Sequence, residues 1–221
     1  MPQNILQYEG MIKGIGSLPG FSAEYIPFRA QHQILQVMQQ QLEVCAFCFI
    51  QKWLLAESLA VGWTCPQALE LHKVFRFLQA HREKVKDEFY QSTLSALIGW
   101  RGVITSIRHA AVHRISQHRK SLLELIRVAI NFSQCTVGLE DSKSLCRLQV
   151  FVKTGLSEFD QRTAQLRQKA TLQISLCEAR PHHLGRRLAL LPEAVIQVLQ
   201  GVEDDFVFNV EQFLRAEFKN S

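Results

Sequence analysis

Between Ser106 and Ser121 the chain reads SIRHAAVHRISQHRKS, and Arg108 to Lys120 holds three arginines, three histidines and one lysine in thirteen residues. The side chains here that could do chemistry are Arg108, His109 and His113. A guanidinium presents a planar fork of donors to a phosphate, and an imidazole can take up or give back a proton near neutral pH. Arg108 and His113 are therefore candidates for handling a phosphodiester. Five residues along an ideal helix turn about 500°, which leaves their side chains roughly 140° apart and about 7.5 Å displaced along the axis. To meet on one phosphate, the arginine must bend back or the helix must end near His113. His109 and His113 are four apart and share a helix face, which makes His109 a neighbour in the same site. Two imidazoles do not complete a metal site, and the adjoining arginines repel a dication, so no metal and no cofactor are expected.

The charge around this segment is one-sided. Between Glu88 and Glu124 there is no carboxylate, while Arg101, Arg114, Arg119 and Lys120 all fall in that window. Over the whole chain the excess is only +5, with a pI near 9.0. A polyanion meets its strongest field in this window. The competing explanation is a basic amphipathic helix that packs its apolar side, at Ala110, Ala111 and Val112, and solvates its charges, with Arg108 pairing to an acid on a neighbouring helix.

Other motifs carry less. In GIGSLPG, Gly14 and Gly16 are followed by Pro19 where a nucleotide-binding loop needs its third glycine, and no strand precedes them. The Cys45 to Cys48 spacing in CAFC lies within an apolar helical run without a second pair, and PHHLGRR (Pro181 to Arg187) is a basic loop. The six cysteines are expected to be mostly buried thiols, not a disulfide framework. No secretory leader is read at the N-terminus. Gln51, Lys52 and Glu57 at the centre of VCAFCFIQKWLLAESLAVG exclude a membrane span, so an intracellular location, cytoplasmic or nuclear, is expected.

These residues must be positioned by helices. With 221 residues and 47% apolar content the chain can bury one good core or two small ones. Residues 1–27 carry the early glycines and no sustained period, so a flexible extension is expected there. A helical pattern runs from Arg29 to about Val61 and ends at Gly62. The next helix starts with Thr64 as cap and Pro66 in its first turn, and carries Leu71, Val74, Phe75 and Leu78 on one stripe. A third covers Val85 to Ile98, and Gly99 and Gly102 weaken the stretch before the motif helix, whose apolar face is Val103, Ile104, Ile107, Ala110 and Ala111. Leu145, Leu148, Val152, Leu156, Phe159, Thr163, Leu166, Ala170, Ile174 and Cys177 then step by three or four. After a break at Pro181 and Gly185, Val195, Leu199, Val202, Phe206, Val210 and Phe213 form a matching seam. The expected fold is all-α: a helical bundle core over residues 28–137 and a long antiparallel, coiled-coil-like hairpin over 138–221.

RHAAVH matches the Arg-x4-6-His pattern of the HEPN superfamily, helical-bundle proteins that include metal-independent ribonucleases. IRHAAVHR, with SLLELIRVAINF and a long helix after it, also resembles a group of filamentous-fungal proteins built on RH-x-AVHR, which brings no established activity. The superfamily resemblance implies attack of a ribose 2′-hydroxyl on its adjacent phosphate. His113 would serve as general base or acid, Arg108 would stabilise the developing charge, and His109 would fill the polar position after the arginine. It implies a homodimer that pairs two motif helices, with RNA held along its backbone by Arg101, Arg114, Arg119 and Lys120. An acid to orient the imidazole must come from Glu70, Asp87, Glu88 or Glu124. The alternative is a non-catalytic helical interaction protein whose hairpin from Leu139 onward docks a protein partner.

Overall fold

The computed structural model describes Ser22 and residues 24–140, 142–178 and 185–218. GIGSLPG, PHHL and most of the expected N-terminal extension lie outside the described residues. Every regular element among them is helical: α1 (Phe28–Trp53), α2 (Leu55–Ala60), α3 (Leu71–Ala80), α4 (Glu88–His113), α5 (Arg119–Thr136), α6 (Lys143–Glu178) and α7 (Gly185–Phe218), with 3-10 turns at Pro66–Ala68 and Arg82–Lys84. The fold is all-α. No described helix is long and apolar enough to cross a membrane.

The chain forms two compact units whose boundaries fall inside α6, after Val152, and inside α7, after Asn209. No glycine or proline marks either point in the sequence.

The first unit is the bundle of α1 to α5, joined by the start of α6 and the end of α7. At its centre, α1 packs against α3, α4 and α5. Ile34, Met38, Leu42, Cys45 and Phe49 recur along α1 every three or four residues, with Leu35, Ala46 and Ile50 beside them, and all are buried, so one side of α1 is core. The helices packed on α1 bury Val74 and Phe75 of α3, Leu94, Leu97, Ile104 and Ile107 of α4, and Leu122, Ile126 and Phe132 of α5. Aromatic pairs knit the layers: Phe49 stacks on Tyr90 at 5.6 Å, and Phe75 meets Phe132 edge-on at 6.4 Å. Truncating any of these large side chains to alanine costs about 3 kcal/mol.

Three expectations about the helices change. The helix that starts near Arg29 does not run on to Val61; it breaks at Leu54 (φ −140°, ψ 42°), and α2 starts there without a side-chain cap. Leu54 is buried at the break. Thr64 caps no helix: Pro66 opens a 3-10 turn, and α3 begins only at Leu71. The expected interruption at Gly99 and Gly102 is absent, and α4 is one helix of 26 residues through both glycines. Each interior glycine costs about 1 kcal/mol against alanine, and the buried Leu97, Ile104 and Ile107 on either side offset that cost.

The cysteines also depart from expectation. Cys45 is buried, but Cys48 and Cys65 are exposed; none of the described cysteines is in a disulfide. In the second unit, Gly155 lies against Phe206, Arg162 pairs with Asp205 at 2.7 Å, and Ala170 and Ile174 pack on Val195. Contacts that climb α6 thus descend α7. Tyr25 packs on Phe159 from outside this pair, with ring centroids 6.2 Å apart.

Candidate nucleic-acid interface

The motif segment is the end of α4 and the turn into α5. Asp87 starts α4, its carboxylate accepting from the Tyr90 backbone N–H at 3.0 Å. The other end closes at Arg114, which adopts a left-handed conformation (φ 53°, ψ 45°); Arg114 N–H and Ile115 N–H both donate to the Ala110 carbonyl. Glycine usually fills such a position because a Cβ costs energy there. Gln31 of α1, 2% exposed, then accepts from the Gln117 backbone N–H at 2.7 Å and fixes the turn against the core. At the far side His118 precedes the first turn of α5 without offering a side-chain cap.

Two stripes diverge along α4. Arg101, Thr105, Arg108 and Val112 follow one line, and Gly102, Ser106, His109 and His113 the next. Arg108 borders the packed face carrying Ile104, Ile107 and Ala111 and is half-buried, whereas His109 and His113 are exposed. The two imidazoles meet with ring centroids 4.5 Å apart. The charge of Arg108 reaches Glu43 of α1 and Glu70 before α3 only as the least of the influences on each carboxyl. Because α4 stays helical to His113, the rotation of about 140° between Arg108 and His113 is retained.

The carboxylates that were to orient an imidazole are engaged elsewhere. Glu70 pairs with Lys73 and lies 3.6 Å from His72; the Lys73 hydrogen bond holds its carboxyl below the usual range, with help from Arg108. Glu124 accepts from Arg127 at 2.8 Å. Asp87 and Glu88 sit at the opposite end of α4, about 37 Å along the helix from His113.

Among the basic residues, Arg101, Arg114 and Lys120 are exposed and Arg119 is half-buried in the first turn of α5. Arg114, Arg119 and Lys120 surround the turn between the helices; Arg101 lies about 18 Å back along α4, on the Arg108 line.

Two residues of this neighbourhood escaped the sequence reading. Gln31 was one of many glutamines in α1, with no sign that its amide would hold the turn. Glu43 is the sole acid of α1, an anomaly visible in the sequence, though nothing there ties it to Arg108. Burial pushes its carboxyl above the usual range, partly countered by a hydrogen bond from Gln39 and by Arg108. No group of three metal-ligating side chains occurs among the described residues. Comparison of the whole chain with protein-family models, curated proteins and solved structures finds no match.

Proposed function

We propose that the chain is an RNA-directed protein of HEPN-like character, acting by binding the RNA backbone and not by cleaving it. The observation that carries this reading is the exposed cationic corner where α4 ends and α5 begins, in a window without one carboxylate. His109, His113, Arg114 and Lys120 turn outward there, so phosphates can approach without displacing an ion pair among the first three. Cleavage needs a general base and a charge-stabilising guanidinium on one phosphate. Within one chain Arg108 is half-buried beside the packed face while His113 sits exposed against His109, a turn of about 140° away, which favours binding over chemistry. A catalytic form would need a second copy to complete the pocket.

The test is fluorescence anisotropy of single-stranded RNA in EDTA across a salt series. Phosphate contacts by Arg101, Arg114, Arg119 and Lys120 predict a slope of log K against log salt of about −3, so raising salt fourfold weakens binding by roughly 50-fold. Replacing Arg101, Arg114 and Lys120 together by glutamine should lower that slope by about 2. Binding insensitive to salt and to these substitutions overturns the reading. Cleavage in EDTA by the wild type, lost in Arg108→Ala and His113→Ala, would replace it with the nuclease.

A further inference from the structure

A second site lies in the bundle unit, on the face of α1 opposite Gln31. One face of α1, carrying Arg29, Gln33, Gln36, Val37 and Gln40, and the last turns of α7, carrying Glu211, Leu214 and Arg215, enclose a cleft of about 430 Å³. That volume falls within the roughly 300–1,000 Å³ of ligand clefts. Its polar groups are sorted along its length. At one end Glu211, 16% exposed, accepts from Arg29 at 2.6 Å and from Gln33 at 2.8 Å, with Arg215 at 3.9 Å on its other oxygen. Toward the other end stand the exposed amides of Gln36 and Gln40.

The charge count at the first end does not close. Two guanidiniums flank one carboxylate, and they are 70% and 68% exposed, so most of their ten N–H donors still face the cleft or water. A second carboxylate bridging Arg29 and Arg215 would balance the charge and take charge-assisted bonds from both. From Arg29 to Gln40 the α1 face spans about 16 Å, the length of some five extended residues, and glutamine amides can donate to and accept from peptide groups. We propose that this cleft binds the C-terminal carboxylate and last amides of a partner polypeptide. The site is independent of the RNA reading.

The experiment uses the full chain and an N-acetylated alanine tetrapeptide with a free C-terminus, followed by the backbone amide resonances of Gln33, Gln36, Gln40 and Arg215. The acid should shift these resonances saturably, and the same peptide capped as its C-terminal amide should bind at least about tenfold more weakly. Arg215→Gln should abolish the preference for the acid. The double change Gln36→Ala and Gln40→Ala, on exposed positions that leave the fold intact, should weaken the acid several-fold. Equal binding of acid and amide, no saturation, or acetate alone binding as tightly as the tetrapeptide overturns the proposal.

Discussion

His109 and His113 set their rings 4.5 Å apart on the outer face of α4, while Arg108, directly before His109 in the chain, is half-buried at the border of the packed face. Neighbours in sequence thus serve different surroundings. A motif of arginine and histidine five apart is a statement about one dimension; the 100° step of the helix decides which side chains share a direction.

That divergence makes the two side chains energetically separable. In RNA binding, the effects of Arg108→Ala and His113→Ala should add to within about 0.5 kcal/mol in a double-mutant cycle. A coupling energy clearly above that, read from the same anisotropy titration, would mean that both touch one phosphate.

Arg114 should trade stability against binding. Its left-handed conformation costs about 1 kcal/mol that glycine does not incur. Arg114→Gly should therefore raise thermal stability by about that amount while weakening RNA binding, since a surface cation is lost. Arg114→Ala should weaken binding equally without the stability gain. Thermal unfolding of the two variants beside the anisotropy titration reads both effects.

Gly102 lies exposed inside α4, and a Cβ built there meets nothing within 4 Å. Gly102→Ala should stabilise the chain by about 0.5–1 kcal/mol, measured as a shifted denaturation midpoint with an unchanged slope. A destabilised variant would mean that α4 needs the glycine for a kink or a close approach.

Tyr25, in the segment before α1, belongs to the second unit and hydrogen-bonds Glu203 within it. Burial, reinforced by the Glu203 charge and the phenol's hydrogen bond to it, pushes the Tyr25 hydroxyl up to about 12. The raised value means that the folded state prefers the neutral phenol. Its contribution is complete below pH 10 and is lost as pH rises toward 12. Tyr25→Phe should cost about 1 kcal/mol at pH 8 and flatten the alkaline stability profile, checked by thermal melts across that range. Tyrosinate absorbance should also lose its last-titrating component in the variant.

The buried seams were legible because they depend on local periodicity. Leu145 to Ile174 and Val195 to Val210 repeat at three and four residues, and a helix turns that spacing into a single apolar face whatever packs against it. Leu71, Val74, Phe75 and Leu78 were readable for the same reason. The breaks were harder. Glycine weakens a helix by only about 1 kcal/mol, so Gly99 and Gly102 could not stop α4 against the burial of its flanking residues. At Leu54 a good helix former stands at the break with its side chain buried, so nothing in the local sequence signals it.

By itself the sequence determined that this protein is helical, that its core faces fall where the apolar periods fall, and that α4 and α5 meet in an acid-free cationic stretch. All three follow from composition and from the fixed geometry of a single helix. Only the tertiary structure decided that Gln31 anchors the turn through Gln117 and that Arg29 and Arg215 converge on Glu211. These relationships join residues far apart in the chain, and which long-range side chains meet is set by the packing of whole helices, a quantity that no local spacing encodes.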